Sequence, residues 1–314
     1  MADVLTPLIA QRADPHIYRH DDGYYYFTAS VPSYDHVELR RATSIAGLAD
    51  AVPVVAWRKP DSGPYSELLW APELHYRQGA WYVYFAAAPS RDIKHQLFQH
   101  RMYALRNTQP NPLDGEWEFL GQVDSGIDTF CLDATTFEHG GTLYYVWAQK
   151  DEAIEGNSNL YIASMATPWQ LAGSPVMLSQ PEFDWEKRGF LVNEGPSVLQ
   201  RNGKVFISYS ASATDENYAM GLLWADAGAD LLDPASWTKS TVPVLETCYE
   251  HGVYGPGHNS FTYDDEGNVL LVYHARTYTE IVGDPLWNPD RHTYVKPLRW
   301  DADGMPLFGK PSLA

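Results

Sequence analysis

The sequence predicts an all-β fold, a five-bladed β-propeller, because it shows a five-fold repeat, strand chemistry in every copy and almost no helical periodicity. Each repeat joins a polar residue in a tight turn, a Gly turn and a run of aromatic and β-branched residues. The ionisable residues that lead the repeats are Asp14, Glu73, Asp133, Glu194 and His258, at separations of 59, 60, 61 and 64 residues. A strand-rich repeat of about 60 residues is typical of radial repetition.

A short strand opens each repeat and carries the ionisable residue near its start, and a hairpin turn follows. X-Gly dipeptides suit these turns, because two-residue hairpins need positive φ. The dipeptides are Asp22-Gly23, Gln78-Gly79, Gly140-Gly141, Asn202-Gly203 and Glu266-Gly267. The runs that follow them predict second strands at 24–29, 81–86, 143–148, 205–210 and 269–274.

Further strands complete the predicted blades. Third strands are expected at 37–42, 98–105, 159–165, 219–225 and 293–300, and fourth strands at 54–57 and 117–120. Four strands define a propeller blade. No linker or low-complexity stretch interrupts the repeat, so we expect one propeller domain over residues 1–314, with blades that start near residues 14, 73, 133, 194 and 258.

The net charge of −18 limits the expected partners. Nucleic acids and anionic membrane surfaces both attract basic patches, so neither is expected. No run of 18 apolar residues predicts a membrane span. A neutral polysaccharide is compatible with this charge, and the 11 Trp and 21 Tyr suit both a strand-rich core and sugar-binding surfaces.

The cysteine content and the N-terminal residues bear on the compartment. Two cysteines, Cys131 and Cys248, give no disulfide framework, which favours a reducing environment. The first twelve residues have no basic start and no long apolar core. The expectation is therefore a cytoplasmic protein, with secretion as the alternative if a leader has been removed.

The leading ionisable residues should meet near the propeller axis, because first strands line the central channel. Burying such groups together is costly unless they serve a purpose or bind an ion. Two carboxyl groups across a cleft cleave a glycosidic bond when one is ionised and the other protonated. A third carboxylate raises the pKa of the acid by like-charge repulsion. Asp14, Asp133 and Glu194 would supply this set, although each alone also suits a turn or loop.

Six motifs, in the correct order and spacing, together resemble glycoside hydrolase family 43 over nearly the whole chain. The motifs are Ala13-Asp14-Pro15-His16, Trp70-Ala71-Pro72-Glu73, Leu132-Asp133-Ala134, Asn193-Glu194-Gly195-Pro196, Gly255-Pro256-Gly257-His258-Asn259 and His274-Ala275-Arg276. The Arg-Ala-Asp-Pro-His opening, with the Tyr-rich strand after it, most resembles the exo-acting α-L-arabinofuranosidases of that family. The resemblance implies a five-bladed propeller and an inverting mechanism.

The same resemblance implies roles for individual residues. Asp14 would be the general base, Glu194 the general acid, and Asp133 the residue that tunes and orients the acid. Inversion leaves room for a water molecule, so a base–acid separation of roughly 6.5–9.5 Å is expected. His258 would lie near or bind a calcium or other ion in the channel, with a hydrogen-bonded histidine as the alternative. Arg276 would reach the bound sugar, with a structural ion pair as the alternative.

Aromatic residues just before the channel positions are candidates for substrate binding. They are Trp70, Phe130, Phe190 and Tyr254; core packing is the alternative for Trp70. Glu73 is interpreted as structural, because the family pattern gives it no catalytic role. Long loops at 89–99, 150–158 and 278–292 could close the pocket. No sequence motif indicates an organic cofactor.

The predicted function is removal of terminal α-L-arabinofuranosyl units from arabinan or arabino-oligosaccharides. A β-xylosidase or dual-specificity enzyme, acting on xylose-containing oligosaccharides or polysaccharides, is the alternative within the same chemistry. A non-catalytic carbohydrate-binding propeller is the alternative from another class, and the presence of all three carboxyl groups disfavours it. A β-fructosidase is also disfavoured, because the Asn-Asp-Pro-Asn opening of that class is absent.

Overall fold

Strands make up nearly all the regular structure of residues 6–311, the part of the chain that this computed structural model describes. Five sheets around one axis form a five-bladed β-propeller, which confirms the predicted fold. The helical segments within the described residues are single three-residue turns, and none has the length and apolar content of a membrane span. One domain over residues 1–314 stays a prediction, since 1–5 and 312–314 lie outside the described part.

The first two blades are four-stranded antiparallel sheets with their strands in chain order. Blade 1 contains β1 (Ala13–Arg19), β2 (Tyr25–Ser30), β3 (His36–Ala42) and β4 (Val54–Arg58). Blade 2 contains β5 (Glu67–Arg77), β6 (Ala80–Ala88), β7 (Arg101–Asn107) and β8 (Glu118–Gln122).

The other three blades differ in their outer strands. Blade 3 contains β9 (Cys131–His139), β10 (Thr142–Gln149), β11 (Asn159–Thr167), β12 (Gln170–Leu171) and β13 (Val176–Ser179). Blade 4 contains β14 (Asn193–Arg201), β15 (Lys204–Ala211), β16 (Ala219–Asp226) and β17 (Thr238–Lys239). Blade 5 contains β18 (Tyr254–Tyr263), β19 (Val269–Arg276) and β20 (His292–Pro297), and the pair β21 (Arg299–Trp300) and β22 (Pro306–Leu307) follows.

The inner strands β1, β5, β9, β14 and β18 contact one another in ring order and enclose a central channel. The contact between β1 and β18 closes this ring. Aromatic side chains fill the spaces between blades, and Trp81 and Trp147 are fully buried. Much of the high aromatic content therefore belongs to the core, because large rings supply most of the apolar area that a sheet can bury.

The predicted strands differ from the observed ones mainly at their ends. The third strand of blade 2 begins at Arg101 and not at residue 98, because Phe98 precedes the strand and packs edge-on against Trp70. The third strand of blade 5 ends at Pro297, which has no N–H to continue the ladder. The outer strands of blades 3 and 4 were missed, since strands of two to four residues carry too little periodicity to detect.

The N-terminal segment completes the last blade. The Leu8 N–H donates to the Thr293 carbonyl at 2.8 Å, and the Thr293 N–H donates to the Ile9 carbonyl at 2.9 Å. The Ile9 side chain packs in a cluster with Ile17 and Val272, which belong to the first and last blades. The edge of β20 is thereby covered by a segment that precedes β1, a connection that the repeat pattern does not reveal.

We expect Ile9→Ala to lower the free energy of unfolding by about 2–5 kcal/mol, the usual range for truncating a buried Ile. Ile9 is 5% exposed, and its truncation leaves a cavity between the first and last blades. Chemical denaturation measures the effect, with Val52→Ala as the control because Val52 is 79% exposed. Equal losses in the two variants would show that the N-terminal segment does not hold the ring closed.

Candidate active site

Bulges in the inner strands displace the backbone at the repeated ionisable residues. Pairing with the second strand slips around Asp14, Asp133, Glu194 and His258. Asp14 has φ 56°, Asp133 φ 52° and His258 φ 41°, values that residues with side chains rarely adopt. Bulges re-aim side chains, and strained backbone concentrates at functional sites. The same distortion in separate blades marks this end of the channel as a site.

A cavity of about 210 Å³ opens at the end of the channel where the inner strands begin. Asp14, Asp133 and Glu194 line it together with His258, although the four residues come from four different blades. Arg291, from the segment just before β20, lines the same cavity. The structure thus brings the three carboxyl groups of Asp14, Asp133 and Glu194 to one cavity with the imidazole of His258 and the guanidinium of Arg291.

Asp14 is held in its ionised form. Its Oδ2 accepts a hydrogen bond from Ser30 Oγ at 2.6 Å, and its Oδ1 lies 3.5 Å from Arg291 Nη1. Burial by itself raises the pKa of this carboxyl, but the charges of His258 and Arg291 outweigh it and hold the pKa well below its usual range. Burial lowers the pKa of His258, which makes its imidazole harder to protonate. Arg291 is therefore the group beside Asp14 that keeps its positive charge at neutral pH.

Glu194 is in the opposite state. Burial and the negative charge of Asp14 raise its pKa to about 7, against a lowering influence from Tyr218 and Arg291. The Tyr218 hydroxyl donates to Glu194 Oε1 at 2.8 Å and favours the ionised carboxylate. Glu194 therefore carries a proton over much of the range in which Asp14 is ionised, which is the division that acid–base chemistry needs.

Asp133 lies close enough to the other two carboxyl groups to feel their charges. Its Oδ2 accepts a hydrogen bond from the Gly195 backbone N–H at 3.0 Å, directly after Glu194 in the chain. Burial, followed by the charges of Glu194 and Asp14, raises the pKa of Asp133. Gly195 has φ 55°, and a Cβ there would lie 3.1 Å from the ring of His258. Glycine therefore suits both the bulge and the close approach.

Tyr218 is a site residue that the sequence pattern missed. It lines the cavity just before β16, and its ring stacks on His274 with a centroid distance of 5.6 Å and an interplanar angle of 2°. A Cβ on Gly257 would lie 2.4 Å from the Tyr218 ring, so glycine is needed to seat this side chain. No signal in the repeat points to Tyr218, because the repeated feature lies on first strands and Tyr218 precedes a third strand.

The structure does not bring Arg276 to the cavity. Its guanidinium donates to the Thr214 and Pro285 carbonyls and to Asn288 Oδ1, so protein acceptors occupy it. The position that the sequence analysis gave to Arg276 is taken by Arg291, which lines the cavity and also donates to the Tyr34 hydroxyl at 3.0 Å. The difference arises because the long loop before β20 folds back over the channel and carries Arg291 inward.

Three of the four candidate aromatic residues line the cavity. Trp70 and Phe130 form walls, and Phe190 lies at the mouth with 53% of its surface exposed. Trp70 also stacks on His100 at a centroid distance of 3.7 Å, so one face of the indole is occupied. Tyr254 does not line the cavity, because its ring packs against Tyr249 on the outer side of the bulge.

All three long loops contribute to the cavity. Ile93 and Phe98 come from loop 89–99, Asn157 from loop 150–158, and Asp284 and Leu286 from loop 278–292. These loops come from blades 2, 3 and 5, so they surround the mouth from several directions. The result is a pocket with walls rather than an open groove.

The residues around His258 do not suit calcium. Calcium usually takes about six to eight oxygen ligands, whereas His258 offers nitrogen, and its Nδ1 lies 3.4 Å from Asp14 and 3.7 Å from Asp133. Across residues 6–311, two groups of His, Cys, Asp or Glu bring three ligand atoms within 4.8 Å of one another, and His258 belongs to neither. The arrangement fits a channel histidine that interacts with carboxylates.

Comparison with known proteins confirms the family resemblance. The family model described as "Glycosyl hydrolases family 43" matches residues 4–306. An extracellular exo-α-(1→5)-L-arabinofuranosidase from Streptomyces avermitilis is 51% identical over 307 residues, which cover 98% of this chain and 63% of that protein. A protein of the same name from Streptomyces chartreusis is 51% identical over 281 residues, 89% of this chain and 84% of that protein. The chain thus spans less than two thirds of the first relative's length.

A solved structure extends the similarity to the whole propeller. The crystal structure of an α-L-arabinofuranosidase from Lactobacillus brevis is 57% identical to this chain and superimposes with a TM-score of 0.96. The match covers 98% of this chain and 97% of that one.

The expectation of a cytoplasmic location is wrong, because both Streptomyces relatives are named extracellular. Cys131 and Cys248 are buried free cysteines. A chain of this length buries enough apolar surface to be stable without disulfides. A lack of disulfides therefore does not indicate a reducing compartment for a propeller of this size.

We expect Tyr218→Phe to raise the pKa of Glu194 above about 7, because the lost hydroxyl bond favours the charged form. Titration of ¹³C-labelled glutamate carboxyl groups by NMR measures the change, and Glu194→Gln identifies the resonance. Tyr209→Phe is the control, since Tyr209 donates to Glu186 and not to Glu194. A pKa that falls in Tyr218→Phe would contradict the arrangement described here.

Proposed function

Because this chain belongs to glycosyl hydrolase family 43, we propose that it removes terminal α-L-arabinofuranosyl residues from arabinan or arabino-oligosaccharides, with inversion at the anomeric carbon. The observation that carries the proposal is the convergence of Asp14 and Glu194 on one cavity, where their surroundings shift the pKa values of the two carboxyl groups in opposite directions. The names of the two Streptomyces relatives support the choice of sugar and linkage, and they also support action outside the cell.

Asp14 acts as the general base. Its carboxylate takes a proton from a water molecule as that water attacks the anomeric carbon from the face opposite the leaving group. Arg291 keeps Asp14 ionised, and Ser30 occupies one of its oxygens, which fixes the direction of the other. A carboxyl group whose pKa lies well below neutral remains ionised, and so able to accept a proton, over a wide pH range.

Glu194 acts as the general acid and gives its proton to the glycosidic oxygen as the bond breaks. Tyr218 holds one carboxyl oxygen and so fixes the rotation of the group. Asp133 supports the acid through the backbone. It accepts a hydrogen bond from the Gly195 N–H, which fixes the segment from which Glu194 projects.

The shape of the cavity supports action at a chain end. The pocket is about 210 Å³, walled by Trp70 and Phe130 and bordered by residues of three loops, which suits a single terminal sugar. Phe190 at the mouth offers an apolar face to the next sugar unit. Arabinose-containing substrates are the primary proposal, and action on xylose-containing chains is the alternative.

We expect Glu194→Gln to lower kcat on arabinobiose by at least about 100-fold, the usual contribution of a general acid. The loss should be much smaller on 2,4-dinitrophenyl α-L-arabinofuranoside, whose leaving group needs no proton. Asp14→Asn should abolish turnover of both substrates, because attack by water still requires a base. Steady-state kinetics measure these effects.

Glu266→Gln, on an exposed hairpin turn, is the matched control and should retain wild-type rates. Equal losses of kcat on the two substrates in Glu194→Gln would show that Glu194 is not the general acid. Wild-type turnover in Asp14→Asn would show that Asp14 is not the general base.

We expect arabinan and linear arabino-oligosaccharides to yield only free arabinose. The first-formed anomer should be β, since inversion converts the α linkage. Product analysis over time and ¹H NMR of the early product measure these outcomes, with arabinoxylan and xylo-oligosaccharides as comparison substrates. Early release of oligosaccharides would contradict action at chain ends, an α product would contradict inversion, and faster release of xylose would favour the alternative specificity.

A further inference from the structure

A second polar cluster lies deeper in the channel and has no part in the proposed reaction. It consists of His16 on β1 and of Glu73 and His75 on β5, so it joins blades 1 and 2. The three residues are 7%, 6% and 4% exposed, respectively. The sequence analysis interpreted Glu73 as structural. Its position in the five-fold repeat explains why it lies in the channel, but it does not explain why two imidazoles lie beside it.

The ligand atoms of this cluster are close to the spacing of a tetrahedral metal site. Glu73 Oε2 lies 2.8 Å from His75 Nε2 and 3.7 Å from His16 Nε2, and the three atoms fall within 4.8 Å of one another. Zinc bonds of about 2.0–2.1 Å place tetrahedral ligand atoms roughly 3.3 Å apart. Shifts of about 1 Å or less would therefore bring all three onto one ion.

His16 lacks the partners that a buried imidazole normally has. Its Nδ1 is buried without a hydrogen-bond partner, and its Nε2 is beyond hydrogen-bond distance from Glu73. Buried polar atoms are almost always satisfied by protein or ordered water, so Nδ1 is left to a water molecule. Nε2, which lies 3.7 Å from Glu73 Oε2, is the nitrogen placed to bind a metal.

A second cavity gives this cluster a connection to solvent. It measures about 270 Å³ and is lined by His16 and His75 together with later residues of the inner strands, such as Thr135 and Ser197. It therefore lies further along the channel than the active-site cavity, which is lined by residues at the starts of these strands. An ion could reach the cluster from this side, and a water molecule could serve as a fourth ligand.

Arg77 opposes a cation at this position. Its Nη2 donates to the Thr136 carbonyl at 2.7 Å and lies 3.4 Å from His75 Nδ1. When His75 binds a metal through Nε2, its Nδ1 must carry the proton and face another donor. Arg77 therefore weakens the site, and only a metal with strong affinity for imidazole would bind.

We propose that His16, Glu73 and His75 bind one divalent transition-metal ion of the zinc type, which links the first two blades within the channel. Two imidazoles and one carboxylate suit zinc and its neighbours in the first transition row, and they do not suit calcium or magnesium. This site is separate from the residues proposed for catalysis. It also differs from the ion that was expected near His258.

The other three-residue group among the described residues serves as an internal control. Cys248, Glu250 and His251 lie near the surface, where Glu250 pairs with Lys310 at 2.7 Å and His251 Nδ1 contacts the Pro311 carbonyl at 3.1 Å. Glu250 and His251 already have partners, so we expect no metal there. A sulfur ligand would distinguish this group from the channel cluster by spectroscopy.

The test begins with the full chain, freed of metal by a chelator and titrated with Co²⁺. We expect one ion per chain with the visible absorption of a tetrahedral site, displaced by Zn²⁺. His16→Gln and His75→Gln should abolish binding, whereas His251→Ala and Asp133→Asn should retain it. Arg77→Gln should bind several-fold more tightly, because Gln can accept the proton of His75 Nδ1.

X-ray absorption of the zinc-loaded wild-type chain keeps the proposal testable even if a variant does not fold. Two imidazoles with oxygen ligands and no sulfur would support it. Absence of Co²⁺ binding, a sulfur ligand, or binding that persists in His16→Gln and His75→Gln would overturn it. None of these readouts depends on hydrolysis, so the metal site can fail while the proposed function stands.

Discussion

The active site depends on three buried carboxyl groups that share one lasting positive charge. Arg291 supplies that charge, because burial holds the pKa of the neighbouring His258 below its ordinary value. The guanidinium lies next to Asp14, and together with His258 it holds the pKa of that carboxyl well below its usual range. Burial, followed by neighbouring negative charge, raises the pKa values of Asp133 and Glu194, although Arg291 also exerts a lowering influence on Glu194. Burial and unequal access to positive charge thus separate a base from an acid.

Such a cluster needs a rigid support, and the sheets around it provide one. The bulges place residues with side chains in left-handed backbone conformations, which persist only where the surroundings fix them. Glu186, fully buried, accepts hydrogen bonds from Asn193 and Tyr209 and pairs with Lys239. Asn193 immediately precedes Glu194, so this buried network holds the strand that carries the acid. The strain in the inner strands is offset by packing and hydrogen bonding in the outer layers.

The sequence could predict the structural features that recur in every blade, and it could not predict the features that occur in only one blade. The five-fold spacing fixed the blade number and brought Asp14, Asp133 and Glu194 into equivalent positions, because hairpins with X-Gly turns have a regular length. Arg291 and Tyr218 lie outside that repeat. Arg291 reaches the cavity through an irregular loop, whose path depends on tertiary contacts rather than on periodicity. The cysteine content could not predict the cellular compartment either, because a protein with a large core is stable without disulfides.

Pairing of the Leu8–Ile9 segment with Thr293 has a consequence for how the protein is made. The ribosome synthesises a chain from its N-terminal side, so Leu8 and Ile9 emerge well before Thr293 and cannot pair with it until β20 has been made. The circle of sheets therefore cannot close until all five blades have been synthesised. Contacts between such distant parts of a chain form slowly, which leaves the open intermediate exposed to aggregation and to chaperones.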